Sequence, residues 1–439
     1  MGAGSGPRNG SGATITLKMR PERRLIRENG SFRYLDFHVQ VNQTAASTET
    51  TRTPLTLALV LDRSGSMQGE KIYIAKQAAL GVLDRLDERD HAAVVVFDDK
   101  IDVIQAKAMV TPAFKANVRA ALSLIEARAN TALHEGWLTG CKAIASESAS
   151  AAEAGLARCF LLTDGLANVG VTDPEQIAGE AAGIREHAGI GTSTFGIGND
   201  YNELLLGPMA VAGGGQFHHL RTAQEIANTF IGELGDLLAV SARQVRLEIE
   251  VEPGVQLDLV SAYWANTSVA ARWSIAIGDL LSGEERHVVA RFGFPARQGQ
   301  DARVVRGRVV WVADGGERST DWQAIRFSYA DNAACDAESR DPSVMHWVGL
   351  HEASRAHQEA IKQSQAGNLE RARGVLKKVA TEIGGYAGED EALQNSLADL
   401  RSTEQQMENA PLPSASSKEM LYRQQASSRG QKDYRANKS

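Results

Sequence analysis

The pattern of apolar and polar residues changes along the chain, and the central part is the most distinctive. From Pro54 to about Val240, short runs of Val, Leu and Ile alternate with segments of helical period. Such runs predict parallel strands buried on both faces, joined by crossover helices. We therefore expect residues 54–240 to form an α/β domain with a doubly wound, mostly parallel, Rossmann-like sheet. The candidate strands are Leu55 to Leu61, Ala92 to Phe97, Cys159 to Thr163 and Gly191 to Gly196.

Strand-like segments flank this domain on both sides. Six strand-like runs, separated by Gly, Pro, Asn and Asp turns, predict a β-sandwich at residues 241–331. Two earlier runs, Ala13 to Met19 and Phe32 to Val41, are also strand-like, and apolar residues alternate in the second. We expect residues 13–53 to join the sandwich, so that the α/β domain is inserted within it.

The remaining segments predict helices and flexible ends. Residues 342–410 have helical apolar stripes, such as Leu369, Ala372, Leu376 and Val379. Residues 1–12 are rich in Gly, Ser and Pro, which predicts a flexible terminus. Residues 411–439 contain few apolar residues and six Lys or Arg against two acids, which predicts a disordered basic tail. A solvated tail is the favoured interpretation, and nucleic-acid binding by it is the alternative.

The overall composition narrows the classes of partner. Hydrophobic residues make up 43% of the 439 residues and charged residues 23%, with a formal net charge of −7. This is the balance of a globular protein, and it gives no electrostatic reason to expect nucleic acid or a membrane as partner. The three cysteines are widely spaced, which argues against disulfides and favours a reducing compartment. With no export signal and no long apolar run, we expect a cytoplasmic protein.

A cluster of oxygen-bearing side chains follows the first strand of the central domain. The run Thr56 to Leu61 ends in Asp62-Arg63-Ser64-Gly65-Ser66, and a helix begins shortly afterwards. Side chains at alternate positions of an extended segment point the same way, so one carboxylate and two hydroxyls converge at the carboxyl end of a strand. These hard oxygen donors suit Mg²⁺, Ca²⁺ or Mn²⁺ rather than zinc or copper. The alternative interpretation is a helix-capping turn.

Two further motifs make this cluster specific. Thr131 lies in a loop just before a helix, and the strand that begins at Cys159 ends in Thr163-Asp164-Gly165. In this order the motifs resemble the von Willebrand factor A domain with its metal-ion-dependent adhesion site. The resemblance covers about residues 54–240. It implies that Ser64 and Ser66 bind the metal directly, Thr131 directly or through water, and Asp62 and Asp164 mostly through water.

The resemblance also implies a function. Because the directly bound ligands are mostly neutral, a Mg²⁺ ion, or alternatively Mn²⁺ or Ca²⁺, stays electrophilic, and an Asp or Glu of a protein partner can complete its coordination. We therefore expect a metal-dependent adaptor without catalytic activity. Cytoplasmic bacterial proteins of this family often act beside kinases, phosphatases or ring-forming ATPases, which implies a partner of that kind.

Two other functions are compatible with the sequence. The chain could be a scaffold that binds partners through the sandwich or the helices, with a structural metal site. It could also be a hydrolase that uses Ser64, with His134 or His91 as base, although the Gly-x-Ser-x-Gly flanks of a nucleophile elbow are missing.

Overall fold

The computed structural model describes residues 13–42, 53–146, 156–269, 271–299, 301–313, 316–408, 410–429 and 433–435. The terminus predicted to be flexible, residues 1–12, lies outside the described residues. The strands are β1 Ile15–Pro21, β2 Leu25–Arg27, β3 Ser31–Val41, β4 Leu55–Asp62, β5 His91–Phe97, β6 Ile101–Met109, β7 Leu156–Thr163, β8 Ile190–Ile197, β9 Gly214–Leu220, β10 Val240–Val251, β11 Gln256–Leu259, β12 Trp264–Val269, β13 Arg272–Leu281, β14 Glu285–Phe294, β15 Ala302–Ala313, β16 Gly316–Ser319 and β17 Gln323–Ala330.

The helices lie between and after these strands, and side-chain oxygens at Thr111 and Asp173 cap two of them by accepting hydrogen bonds from the first turn. Within the described chain no helix has the length and apolarity that spanning a bilayer requires. The helices are α1 Glu70–Arg85, α2 Pro112–Ser123, α3 Leu133–Ile144, α4 Pro174–Ala188, α5 Glu203–Ala212, α6 Ala223–Leu238, α7 Asn332–Ala337, α8 Pro342–Gln365, α9 Leu369–Gly384, α10 Glu391–Gln406 and α11 Ser414–Arg429.

The central domain contains a six-stranded sheet in the order β6-β5-β4-β7-β8-β9. The five strands from β5 to β9 in this order are parallel, and β6 is antiparallel at the edge. Helices cover both faces, which gives two apolar cores, one on each side of β4. The prediction of a doubly wound, mostly parallel sheet is confirmed. Since the chain runs from β4 to one side and returns to β7 on the other, the strand order reverses beside β4, where such sheets bind ligands.

Two further sheets form the sandwich. One has the order β1-β3-β14-β11, and the other has the order β12-β13-β10-β15-β17-β2 with β16 paired to β15. Apolar side chains of both sheets meet in one core that includes Phe37, Leu247 and Phe292. Because β3 pairs with β14 along ten residues, the chain before the α/β domain and the chain after it share a sheet. The α/β domain is therefore inserted between β3 and β10.

The C-terminal helices pack on the rest of the molecule. Helices α8, α9 and α10 contact one another, and α8 also lies against β3 and β14. Helix α11 contacts α8, α5 and β9, which differs from the disordered tail predicted for residues 411–439. Its Leu421 and Tyr422 are buried, and its Lys418 Nζ lies 2.8 Å from Glu203 Oε2. Composition alone predicts that Lys418 is solvated, whereas in the structure its ammonium group is buried and paired with Glu203. Residues 430–432 and 436–439 lie outside the described residues.

Candidate metal centre

Asp62 ends β4 at the point where the strand order reverses. Its parallel neighbour β7 places Thr163 beside it, and the Thr163 hydroxyl donates to Asp62 Oδ2. The backbone N–H of Ser64 donates to Asp62 Oδ1 at 2.7 Å. The carboxylate is completely buried, so these two donors hold it in a single orientation. The turn after β4 is therefore folded around the Asp62 side chain.

The two serines lead from Asp62 to the second carboxylate. Ser64 Oγ lies 3.2 Å from Ser66 Oγ, and Ser66 Oγ donates to Asp164 Oδ1 at 2.7 Å. Ser64 and Asp164 are buried, whereas Ser66 is exposed. Four of the five residues that the sequence predicts as metal ligands thus form one continuous set of oxygens at the carboxyl ends of β4 and β7.

Thr131 reaches the same place from the loop before α3. The backbone N–H of Thr131 donates to Asn168 Oδ1 at 2.9 Å, and the Asn168 N–H donates to Thr131 O at 3.2 Å. A Cβ atom added at Gly165 would lie 3.0 Å from Thr131 Oγ1, 3.4 Å from Ser66 Oγ and 3.5 Å from Asp62 Oδ2. Oxygens from the connection between β4 and α1 and from the loop before α3 therefore surround Gly165, which lies on the loop after β7, and all five predicted residues meet at one site.

These residues fit a divalent cation of the hard class. Two fully buried carboxylates, Asp62 and Asp164, lie side by side among hydroxyl oxygens. Burial, reinforced by the negative charge of Asp164, raises the pKa of Asp62 to about 6. Ionising this pair inside the protein is costly unless a positive charge lies beside it. Oxygen donors and neutral hydroxyls are the ligands that Mg²⁺, Mn²⁺ or Ca²⁺ would accept here.

The protein itself supplies one positive charge that the sequence reasoning missed. Lys71, in the first turn of α1, contacts Asp164 Oδ2 with its ammonium group, which also lies 3.6 Å from Asp200 Oδ2. The only sequence signal was a lysine in the first turn of the helix that follows Ser66. Because a cation at the site would lie close to this ammonium, Lys71 opposes metal binding electrostatically.

Arg63, the residue between Asp62 and Ser64, faces away from the oxygens. Its Nε lies 3.0 Å from Asp98 Oδ2, and Arg128 Nε lies 2.6 Å from the same oxygen. Backbone bonds join the same loops, because the N–H of Arg128 donates to Arg63 O at 2.8 Å and the N–H of Gly65 donates to Ala129 O at 3.0 Å. Arg63 therefore holds the loop that carries Ser64 and Ser66 against the loop that carries Thr131.

The site opens to the surface as a depression between the loops. The exposed apolar side chain of Leu166 lies on its lining, where it offers a contact for a bound molecule. The residues that line the depression are Ser64, Gly65, Ser66, Ala129, Asn130, Thr131, Gly165, Leu166, Asn168 and Asp200.

Comparisons with known proteins agree with this geometry. Residues 56–231 match the family model of the von Willebrand factor type A domain. The chain contains a von Willebrand factor A (VWA) domain. This match covers the whole site, from the strand before Asp62 to α6.

Relatives and solved structures show how far the likeness extends. An uncharacterized protein of Synechocystis is 30% identical over 244 residues, which are 54% of this chain and 56% of that protein. The human inter-alpha-trypsin inhibitor heavy chain H4 is 31% identical over 172 residues, 38% of this chain and 18% of that one. The chain thus spans about half the length of the first relative and much less of the second.

Two solved structures share the fold beyond the VWA domain. A von Willebrand factor type A protein from Catenulispora acidiphila matches with a TM-score of 0.69 and 17% identity over 91% of this chain and 97% of that one. The ArnB paralog VWA2 from Sulfolobus acidocaldarius matches with a TM-score of 0.61 and 16% identity over 95% of this chain and 99% of that one. The fold they share therefore includes the sandwich and the C-terminal helices.

Proposed function

We propose that the protein is an interaction module that binds an Asp or Glu side chain of a protein partner through a divalent cation, Mg²⁺ before Mn²⁺ or Ca²⁺. The observation that carries this proposal is the convergence of the connection after β4 and the loop before α3 on Gly165, where the oxygens of Asp62, Ser66 and Thr131 surround one position at the base of an open depression. A cation held there supplies an electrophilic centre that a carboxylate from outside can complete.

The residues divide into two roles. Ser64 and Ser66 bind the cation with their hydroxyl oxygens, and Thr131 binds it directly or through water. Asp62 and Asp164 are fixed by hydrogen bonds from Thr163 and Ser66, so their carboxylates hold the water molecules of the cation in place. Leu166 and Asn130 on the lining contact the partner beside its carboxylate.

The surroundings of the serines favour binding over hydrolysis. Ser64 Oγ has the Ser66 hydroxyl as its neighbour, and His134 Nε2 lies 2.7 Å from Glu180 Oε2 on α4. Among the described residues no histidine forms a hydrogen bond with Ser64. A serine without a base is a weak nucleophile, which supports an adaptor without catalytic activity. The free, buried state of Cys141, Cys159 and Cys335 supports a location in the reducing bacterial cytoplasm.

A selection of displayed peptides tests the proposal. Immobilised full-length protein in Mg²⁺ is expected to enrich peptides that contain Asp or Glu, and EDTA is expected to release them. The Ser66→Ala variant removes a single exposed hydroxyl and should capture none of them. Ser123→Ala is the matched control, because Ser123 is exposed and its hydroxyl donates to Ala120 O in its own helix.

Two results would contradict the proposal. Enriched peptides without acidic residues would exclude a carboxylate as the group that is recognised. Peptides that stay bound in EDTA and to the Ser66→Ala variant would favour the scaffold function, in which the sandwich or the helices bind the partner.

Replacement of Lys71 by methionine is expected to tighten Mg²⁺ binding by roughly tenfold, because it removes a positive charge that competes for Asp164. Titration calorimetry of chelator-stripped protein measures this change. Lys115→Met is the control, since within the described part of the chain the Lys115 ammonium bonds to the carbonyl oxygens of Asp84 and Leu86, away from the site. Unchanged or weaker Mg²⁺ binding by the Lys71→Met variant would show that Lys71 supports the site instead of opposing the cation.

A further inference from the structure

A second group of side chains of metal-binding types lies on the sandwich, outside the α/β domain. In the antiparallel pair β3–β14, His38 is directly opposite His287. Glu285 lies two residues before His287, and Asp36 lies two residues before His38. Alternate residues of a strand share a face, so the two imidazoles and two carboxylates project from the same side of the sheet.

The four side chains are in contact on that face. His38 Nε2 lies 2.9 Å from Glu285 Oε2, and the two imidazole rings stack with their centroids 4.3 Å apart. His287 Nδ1 lies 3.0 Å from both carboxylate oxygens of Asp36. Potential ligand atoms of His38, Glu285 and His287 all lie within 4.8 Å of one another.

We propose that His38, Glu285 and His287 form a binding site for a transition-metal ion of the zinc class. Two imidazole nitrogens, one carboxylate oxygen and a water molecule make up a four-coordinate donor set that suits Zn²⁺. This donor set differs from the oxygens of the VWA site, which suit Mg²⁺, so the two sites would select different metals. The proposal does not depend on the function proposed for the VWA site.

Asp36 adds a second carboxylate, behind His287, that a simple ion pair between His38 and Glu285 would not need. The Asp36 carboxylate accepts a hydrogen bond from His287 Nδ1, which leaves Nε2 as the unprotonated nitrogen of that ring. Histidines that bind zinc commonly have such a carboxylate behind them, and it fixes both the tautomer and the ring orientation. Asp36 is therefore a positioning residue, and it is almost completely buried.

The surroundings leave the cluster shielded on one side and open on the other. The Trp347 ring of α8 stacks on His287 with centroids 3.9 Å apart and an interplanar angle of 11°. His38 Nδ1 is buried without a hydrogen-bond partner among the described residues. The Glu285 side chain is 56% exposed, so an ion and a water molecule can reach the cluster from solvent.

A zinc titration in a variant without the VWA serines separates the two sites. Chelator-stripped full-length protein carrying Ser64→Ala and Ser66→Ala is titrated with Zn²⁺ against a chromophoric chelator, and with Co²⁺ followed by visible absorption. One equivalent of Zn²⁺ is expected to bind, and Co²⁺ is expected to give the absorption of a four-coordinate site. Adding His287→Ala should lower Zn²⁺ affinity at least 100-fold, and adding Asp36→Asn by about 10- to 100-fold.

Two further variants keep the result interpretable. Glu285→Gln alters an exposed side chain, so the protein should stay folded while Zn²⁺ affinity and the Co²⁺ absorption are lost. His187→Ala is the control, since His187 lies in the last turn of α4, away from the cluster, and should leave both readouts unchanged. The proposal is overturned if the protein carrying Ser64→Ala and Ser66→Ala shows no saturable Zn²⁺ binding. It is also overturned if adding Glu285→Gln or His287→Ala to that protein leaves its Zn²⁺ affinity unchanged.

Discussion

Replacement of Lys418 by methionine is expected to release helix α11 and to lower the free energy of unfolding by about 3 kcal/mol. The side chains of Lys418 and Glu203 are each only 3% exposed, and their charged atoms lie 2.8 Å apart. Gln365 Nε2 also donates to Glu203, at 2.8 Å, and the Lys418 ammonium lies 4.8 Å from the centre of the Tyr201 ring. Without the ammonium, Glu203 remains as a buried carboxylate whose charge lacks a cation, and this uncompensated charge is the source of the loss.

Chemical denaturation and limited proteolysis measure the effect of Lys418→Met. Cleavage should become faster within residues 410–429, because α11 no longer packs on α5 and β9. Arg423→Met on the same helix is the control, since the Arg423 side chain is 73% exposed and its pair with Glu419 should contribute less than about 1 kcal/mol. A double variant with Glu203→Gln should be less destabilised than Lys418→Met alone. Equal stability of Lys418→Met and wild type would show that the pair does not hold α11.

The central sheet could be predicted because its signal is local. Strands β4, β5 and β7 are buried on both faces, so each contains a run of apolar residues in the sequence, which are Leu57 to Leu61, Ala92 to Phe97 and Cys159 to Leu162. Strand β6 was not predicted, because it lies at the antiparallel edge and most of its residues are exposed or half-buried. Strand β9 begins with Gly214 and Gly215, which resemble a turn in sequence. Its strand character follows only from pairing with β8.

The tail shows the limit of composition as evidence. Counting charges in residues 411–439 predicts solvation, yet Lys418 pairs with a carboxylate 215 residues earlier in the chain. The same limit applies to His38 and His287, which become neighbours only through the register of β3 and β14. Such long-range pairs leave no periodic signal in a single sequence.

More of the VWA site than of the tail could be predicted from the sequence, because the oxygen-bearing side chains of the site come directly after the ends of strands. Asp62, Ser64 and Asp164 are placed by two parallel strands, and their convergence follows from the topology alone. Lys71 and Asn168 were missed for a physical reason. Lys71 lies on helix α1 and contacts Asp164, and Asn168 lies on a loop and contacts Thr131. Both contacts depend on tertiary packing, which the sequence motifs of the site do not encode.

Replacement of Asp62 by asparagine is expected to weaken Mg²⁺ binding by about 10- to 100-fold and to stabilise the metal-free protein. The pKa of Asp62 is raised from 3.8 to about 6 by burial. A carboxyl whose folded pKa is raised binds its proton more tightly in the folded state, so the cost of ionising it is absent at low pH and complete above pH 6. A shift of about two pKa units corresponds to about 3 kcal/mol.

Asparagine removes this cost and keeps the local hydrogen bonds. Its amide oxygen can accept from the Ser64 N–H, and its amide nitrogen can donate to the Thr163 hydroxyl, so the turn after β4 should remain folded. Denaturation in EDTA at a series of pH values tests the prediction, with the exposed Asp84→Asn as control. The difference in the free energy of unfolding between Asp62→Asn and wild type should grow from near zero at pH 4 to its full value above pH 6. Above pH 6, added Mg²⁺ should reduce this difference, because it binds wild type more tightly and therefore stabilises it more. Two results would contradict the prediction: a difference in the free energy of unfolding that does not change with pH, or an Asp62→Asn variant that is less stable than wild type in EDTA. Either result would show that the ionised Asp62 carboxylate stabilises the metal-free fold instead of destabilising it.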